Sequence, residues 1–162
     1  IAKKMAASFT DIAVACMIIG FSRGILVVLQ SGHMIDTMVY GISIPLTKFP
    51  AWIASEAMLV VQTLLNFLIP SGSGQAVTSM PIMAPLADLV GVSRQVAVLA
   101  FQFGDGLTNS LWFTSGTLLI FLTIAGIPLK KWWKFVTPLI SILFVVCVVA
   151  LIVATKINYG PF

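Results

Sequence analysis

The sequence predicts an all-α integral membrane protein in which a re-entrant helical hairpin precedes a broken transmembrane helix. The 162 residues are 59% hydrophobic and only 9% charged, with a mean hydropathy of +1.09, whereas soluble domains carry about 25% charged residues. Several apolar segments reach the ~20 residues that cross a bilayer as one helix. Two apolar segments contain polar, glycine-rich interruptions, and such backbone is tolerated at membrane depth only where it lines a cavity or a binding site.

The charge and the cysteines narrow the class of protein further. The net charge of +4 comes from basic residues that are scattered or flank apolar segments, so it indicates membrane topology and predicts no nucleic-acid partner. Cys16 and Cys147 lie within apolar runs and are interpreted as buried thiols rather than a disulfide. His33 has no second His or Cys nearby, so no metal site is predicted. The start, Ile-Ala-Lys-Lys, suggests part of a larger protein.

The first third of the chain is predicted to hold one spanning helix and one interfacial segment. Residues 8–30 are mostly apolar and long enough to span, and Lys3 and Lys4 before them predict a cytoplasmic start. Residues 34–50 are interpreted as an interfacial helix and loop because their apolar runs are too short to span. The interruptions in that segment are Asp36, Gly41, Pro45 and Lys48.

The middle of the chain is predicted to be a re-entrant hairpin over residues 51–90. Residues 51–69 are apolar, and residues 77–90 have the length of a re-entrant rather than a spanning segment. Between them, residues 70–76 read Pro-Ser-Gly-Ser-Gly-Gln-Ala, a helix-breaking run that predicts the tip of the hairpin. Pro81 and Pro85 are predicted to kink its second helix.

The last third is predicted to contain a broken transmembrane helix and a final span. Residues 95–127 exceed the ~20 needed to cross, and their middle is polar and rich in glycine, so we expect one helix broken at the midplane. Residues 132–156 form the final predicted span. Trp132 and Trp133, beside lysines, are interpreted as an interfacial aromatic pair.

The distribution of basic residues favours the hairpin. If residues 51–90 enter and leave the membrane on one side, the lysines near the start of the chain and those at 130–134 fall on the same, cytoplasmic side. The residues placed inside are then Lys3, Lys4, Lys130, Lys131 and Lys134, and those outside are Lys48, Arg94 and Lys156. If residues 51–69 spanned alone, the cluster at 130–134 would move outside, against the positive-inside rule.

Polar groups inside the membrane are costly and are treated as functional-site hypotheses. Gln102, Asp105 and Asn109 fall at i, i+3 and i+7, so they are predicted to share one helical face that points into a cavity beside the tip. An ion pair between Asp105 and Arg23 stays open as an alternative, as does a tight helix–helix contact at residues 71–76. Glu56 and Asp88 are expected to be solvated or interfacial.

The sequence contains no nucleophile elbow, metal-ligand cluster, dinucleotide fingerprint or P-loop. We therefore predict that the protein is not an enzyme and has no cofactor, with Na⁺ as a candidate coupling ion. Half-helix N-termini favour anions and half-helix C-termini favour cations, and two interrupted hydrophobic segments are typical of a secondary-transporter binding site.

Three stretches resemble the C-terminal half of YfcC-type carriers, which are grouped with the anaerobic C4-dicarboxylate carriers in the ion transporter superfamily. The stretches are Asn66-Phe-Leu-Ile-Pro-Ser-Gly-Ser-Gly-Gln-Ala76, Met80-Pro-Ile-Met-Ala-Pro-Leu-Ala-Asp88 and Ala100-Phe-Gln-Phe-Gly-Asp-Gly-Leu-Thr-Asn109. The resemblance implies two inverted repeats, of which residues 1–162 are the C-terminal one, a homodimer and elevator-like alternating access. It also implies an organic anion or an amino acid as substrate, moved with Na⁺ or H⁺ or by exchange.

Carried over to this sequence, the resemblance assigns the tip and the break to one half of the binding site. The expected substrate-binding residues are Ser71, Gly72, Ser73, Gly74, Gln75, Asn109, Thr114 and Ser115. The expected cation-coupling residues are Ser73, Asp105, Thr108 and Asn109. In one departure, Phe113 stands where the family pattern has Pro, so Asn109, Ser110 and Gly116 are expected to hold the break.

The function that these features predict is secondary active transport in the bacterial inner membrane by a multi-pass protein. Its partners are expected to be the lipid bilayer, the N-terminal repeat and a small organic anion or amino acid. The alternative is a non-transporting or regulatory membrane module that keeps the fold, for which Phe113 would be a sign of lost transport. A cation channel is a third option.

Overall fold

The computed structural model describes residues 48–160 and, before them, only positions 13, 17, 24, 27, 28, 31–34, 37, 41 and 45. The predicted span at 8–30 and the predicted interfacial segment at 34–50 therefore lie largely outside the described residues. Arg23 and Cys16 also lie outside them. Within residues 48–160 the structure consists of five α-helices joined by short connections.

The first two helices form a hairpin with a very short turn. Helix α1 spans Ala51–Leu68 and helix α2 spans Gly72–Leu89. α1 ends at Leu68 because Pro70 disfavours helical backbone at Ile69, which has φ −123° and ψ 74°. α2 begins at once because the Ser71 hydroxyl accepts a hydrogen bond from the Gly74 N–H.

The tip of this hairpin is shorter than predicted. Residues 70–76 were expected to be non-helical, whereas only residues 69–71 lie between the two helices. The Ser/Gly run was interpreted as a loop, but a serine followed by small residues is also a good helix start, since Ser is among the preferred N-cap residues. Pro81 and Pro85 lie inside α2, which continues through both.

The next two helices are the halves of the segment that was predicted to be broken. Helix α3 spans Arg94–Thr108 and helix α4 spans Gly116–Ala125, with residues 109–115 between them. Each helix begins at a serine N-cap, Ser93 for α3 and Ser115 for α4. α4 ends at Gly126, whose φ of +65° is the left-handed conformation that glycine adopts without strain.

The last helix, α5, spans Leu129–Lys156. It begins directly after Pro128 and so takes in the lysines and tryptophans that were interpreted as flanking the span. α1 and α5 are long and apolar enough to cross a membrane by length and composition. In the most apolar 18-residue stretch of each helix, about 22% of α5 is buried, compared with 44% of α1. Most of the apolar surface of α5 therefore faces away from the described part of the fold.

Helix α3 lies at the centre and packs against α1, α2 and α5. α3 approaches α1 closely at Gly104, where an added Cβ would lie 2.8 Å from the Cβ of Gln62 and 2.9 Å from the backbone N of Thr63. Small residues allow such backbone contact between helices in membrane proteins. The core comes from four helices, with Met58, Leu59, Leu65, Met83, Val96, Ala100 and Leu151 among its most buried side chains.

Candidate functional site

The break between α3 and α4 is held by tryptophan side chains. The Trp132 indole N–H donates to the carbonyl oxygen of Ser110 at 2.9 Å, and that of Trp133 donates to the carbonyl of Leu111 at 2.8 Å. From within the break, the Trp112 indole donates to the carbonyl of Thr63 on α1 at 3.2 Å. The bonds from Trp132 and Trp133 satisfy carbonyl groups that lie outside helices, as buried polar groups require.

Phe113 does not prevent the break. Helical structure ends at Thr108 and resumes at Gly116, although proline is absent from the residues between them. Phe113 is about half exposed, and its ring packs edge-on against Phe67 with centroids 5.5 Å apart. The anchoring by Trp132 and Trp133 was missed from the sequence because a Trp pair next to lysines is also typical of a membrane interface.

The tip of the hairpin and the end of α3 come together. A Cβ added to Gly72 would lie 3.0 Å from Oδ2 of Asp105, so the first residue of α2 lies against this carboxylate. The Asn109 side-chain amide donates to Asp105 Oδ1 at 3.1 Å. Asp105 is 8% exposed. Its predicted alternative partner, Arg23, lies outside the described residues.

A buried polar layer supports this junction from α1. Asn66 is fully buried and donates from Nδ2 to the Asp105 carbonyl oxygen at 3.1 Å and to the Thr108 hydroxyl at 2.8 Å. Next to it, Gln75 donates from Nε2 to the backbone and side-chain oxygens of Gln62, both at 2.8 Å. The sequence signal that could have located this layer is the presence of two polar residues, Gln62 and Asn66, within an apolar segment.

Beside the junction an open cleft of about 720 Å³ separates the tip from α4 and the start of α5. Its polar lining is Ser71, Gly72, Asn109, Ser110, Ser115 and Thr117. Its apolar lining is Pro70, Leu118, Phe121, Leu122, Ala125, Ile127 and Trp132. The cleft therefore has a small polar part and a larger apolar part, as ligand sites commonly do.

The structure brings four of the expected substrate-binding residues to this cleft, namely Ser71, Gly72, Asn109 and Ser115. The other four lie off it. Ser73 is exposed on the first turn of α2, and Gly74 packs under Ser71, whose Oγ would lie 3.2 Å from an added Cβ. Gln75 is fully buried against Gln62. Thr114 is half-buried beside Ser115. Binding of substrate by any of them stays a prediction.

Some of the expected cation-coupling residues and of the predicted polar face also lie at the cleft, and others do not. Asp105 and Thr108 are buried beneath the cleft, and Asn109 lines it. Gln102 was predicted to share their face and point into the cavity, which is wrong, because Gln102 is exposed and does not line the cleft. The buried stripe of α3 runs through Ala97, Ala100, Phe101, Gly104 and Thr108, and Gln102 lies beyond its edge.

This arrangement offers opposite partial charges within one cleft. The N-termini of α2 and α4 contribute residues to the lining, and so does the C-terminal end of α3. Helix N-termini stabilise anions and helix C-termini stabilise cations. No group of three or more His, Cys, Asp or Glu residues that would hold a metal ion occurs in the described part of the chain. The helix termini around the cleft can bind small charged molecules.

Comparison with known proteins identifies the family. The chain is 37% identical over 164 residues to the protein named "Putative basic amino acid antiporter YfcC" of Escherichia coli (strain K12), an alignment that covers 96% of this chain and 32% of that protein. It is 38% identical over 141 residues to an "Uncharacterized protein" of Haemophilus influenzae (strain ATCC 51907 / DSM 11121 / KW20 / Rd), covering 87% of this chain and 28% of the relative. The chain thus spans about a third of the length of these curated relatives.

The family match extends over nearly the whole chain. No solved structure gives a significant match. Residues 2–156, by contrast, match the family model described as "DcuC: C4-dicarboxylate anaerobic carrier", in agreement with the resemblance of its motifs to YfcC-type carriers. The chain therefore belongs to the DcuC family of anaerobic C4-dicarboxylate carriers, and within it is similar to YfcC-type members.

Proposed function

We propose that this chain is the C-terminal repeat of a secondary transporter that moves a small organic anion or an amino acid across the bacterial inner membrane. Transport is coupled to Na⁺ or H⁺, or proceeds by exchange. The complete carrier contains an N-terminal repeat of inverted orientation, is a multi-pass protein and works as a homodimer. α1 and α2 form a re-entrant hairpin whose tip lies at membrane depth.

The observation that carries this proposal is the cleft at which the N-termini of α2 and α4 meet the C-terminal end of α3. Discontinuous helices whose termini face one site are the usual way in which secondary transporters bind charged substrates and coupling ions. The family supports transport as well, since its printed description is that of a carrier. The relative's printed name, an amino acid antiporter, supports including amino acids among the substrates.

The mechanism follows from the charges at the helix ends. A substrate carboxylate is stabilised by the backbone N–H groups of one of the two helix N-termini in the cleft, which begin at Gly72 in α2 and at Gly116 in α4. A cationic group, either the coupling ion or a positively charged group of the substrate, is stabilised near Asp105, Thr108 and Asn109 at the end of α3, with Ser73 as a further candidate for the coupling ion. Elevator-like movement of the hairpin and the broken helix as one unit then exposes the cleft to either side of the membrane in turn.

Uptake into proteoliposomes by the complete carrier tests the proposal. Asn109→Ala and Ser115→Ala each remove a polar group from the cleft lining, and we expect each to reduce uptake by about tenfold or more, which corresponds to ~1.4 kcal/mol or more of lost binding. The matched control is Ser141→Ala on α5. The Ser141 hydroxyl donates to the Thr137 carbonyl on an exposed surface, and its loss should leave uptake unchanged.

The result that would contradict the proposal is wild-type uptake in both cleft variants at equal protein levels. The alternative, a non-transporting module, was motivated by Phe113. The helices on either side of the break form with Phe113 in place, which supports the transport proposal. Ligand binding without flux by the wild-type carrier would nevertheless favour the module. Flux that does not saturate and does not depend on a gradient would favour a channel.

A further inference from the structure

The acidic side chain of Asp105 has no partner of opposite charge in the described part of the chain. Oδ1 accepts a hydrogen bond from Asn109, whereas no donor among the described residues reaches Oδ2. The ion pair in that part of the chain joins Asp88, in the last turn of α2, and Arg94, the first residue of α3, and both side chains are exposed. A carboxylate that is more than nine-tenths buried is costly unless it is paired or hydrogen-bonded, so the free oxygen calls for a cationic partner.

The free oxygen lies beside the cleft. Oδ2 is 3.0 Å from the position of a Cβ on Gly72, and Oδ1 is bonded to Asn109. Gly72 and Asn109 both line the cleft. A ligand group that sits between these two residues therefore comes within reach of the Asp105 carboxylate.

An ionised Asp105 makes the two helix N-termini of the cleft unequal. The N-terminus of α2 already lies against Asp105, so a ligand carboxylate placed there would be repelled by a like charge. The N-terminus of α4, at Ser115 and Thr117, has no such neighbour in sequence, since the chain contains no Asp or Glu after Asp105. An anionic group is favoured at α4 and a cationic group at Asp105.

We propose that Asp105 binds the ammonium group of a zwitterionic substrate whose carboxylate lies at the N-terminus of α4. The substrate is then an amino acid rather than a dicarboxylate, because a second carboxylate would face Asp105. The apolar wall formed by Phe121, Leu122 and Trp132 accepts the amino acid side chain. This inference rests on the proposed transport function and assigns the substrate class of the same cleft.

The experiment measures uptake by the complete carrier of radiolabelled serine, leucine, arginine and glutamate, compared with succinate and fumarate. At least one amino acid should be transported with a kcat/KM about tenfold or more above either dicarboxylate. Asp105→Asn keeps the shape of the side chain and removes its charge, and it should raise the KM for that amino acid roughly 10- to 100-fold, the usual effect of losing a hydrogen bond to a charged group. Asp88→Asn, which removes an exposed carboxylate away from the cleft, is the matched control and should leave KM unchanged.

The outcomes separate the inference from the transport function on which it rests. Uptake of a dicarboxylate but of no amino acid would overturn the inference and leave the transport function standing. Absence of uptake of all six compounds would count against both. A loss of Na⁺ or H⁺ dependence in Asp105→Asn with an unchanged KM would also overturn it, because Asp105 would then bind the coupling ion.

Two further measurements keep the inference testable if Asp105→Asn does not fold. The wild-type preference between amino acids and dicarboxylates decides the substrate class without any variant. Asp105→Glu keeps the charge and moves it by one methylene, so it should retain the preference for amino acids with a raised KM. An unchanged KM for that amino acid, or loss of the preference for amino acids, in Asp105→Glu at wild-type protein levels would contradict the role of Asp105.

Discussion

The chain is interrupted twice near the cleft, at the tip (residues 69–71) and at the break (residues 109–115), and the two interruptions are held in different ways. The tip is maintained by its own sequence. Pro70 ends α1, and the Ser71 hydroxyl caps α2 through a hydrogen bond from the Gly74 N–H at 3.4 Å. Its backbone is closed by a hydrogen bond of 2.7 Å from the Ser71 N–H to the Ile69 carbonyl.

The break depends instead on residues that are distant in sequence. Its carbonyls at Ser110 and Leu111 accept hydrogen bonds from Trp132 and Trp133 of α5, 22 residues away. Trp112 reaches back 49 residues to α1. The comparison shows that the tip is held by local contacts, whereas the break also relies on hydrogen bonds that link it to α1 and α5. Changes to the tryptophans should therefore have larger effects than changes to the cap.

The largest expected effect comes from removing both indole donors of α5. Trp132→Phe with Trp133→Phe keeps aromatic rings but leaves two backbone carbonyls of the break without their donors. Each lost hydrogen bond costs about 1 kcal/mol, and each stranded carbonyl adds to this. We expect the double variant to lose roughly 2–4 kcal/mol of stability, seen as a lower melting temperature of the purified carrier, together with reduced uptake.

Trp52→Phe is the control for the tryptophan variants. Trp52 lies in the first turn of α1 and is about half exposed, so its replacement should change the melting temperature little. If the double variant melted at the wild-type temperature, the break would be held by other contacts and the contrast with the tip would fail.

The difference between the two interruptions also explains how far sequence reasoning reached. The tip was located from the sequence because Pro70 and the Ser/Gly run are local signals. It is shorter than predicted because Ser71 caps α2, which therefore begins at Gly72. The position of the break was located from length and polarity, but the Trp132 and Trp133 contacts depend on tertiary packing. No local pattern distinguishes an indole N–H that faces a carbonyl from one that faces a membrane interface.

The candidate site was predicted in part for a similar reason. A spacing of i, i+3 and i+7 places Gln102, Asp105 and Asn109 near one another on α3, but it does not say where that face lies relative to the core. The apolar stripe of α3, which includes Ala97, Ala100 and Phe101, supplies the missing reference, because the buried face extends from it to Asp105 and Thr108. Gln75 was assigned to the cleft because the helix start at Gly72 was not expected.

A smaller effect is expected at the tip. Ser71→Ala removes the side chain that caps α2 and should cost about 1 kcal/mol, the usual effect of losing a serine N-cap. Ser71→Asp supplies another good cap and should keep most of the stability. It also adds a negative charge to the cleft lining, so uptake of an anionic substrate should fall while the melting temperature is retained. Equal melting temperatures for Ser71→Ala and wild type would show that Pro70 alone defines the tip.

The smallest effect is expected for Phe113→Pro, which restores the residue that the family pattern has at this position. The Phe113 N–H donates no backbone hydrogen bond in the structure, so proline removes none. The main loss is the edge-on contact with Phe67 at 5.5 Å, and such aromatic pairs contribute about 0.5–1.5 kcal/mol. Because the tryptophans hold the break, the variant should keep its uptake and lose at most a few degrees of melting temperature. A marked rise in uptake and in melting temperature would mean that Phe113 weakens the break. Proline would then stabilise the break locally, as Pro70 does at the tip.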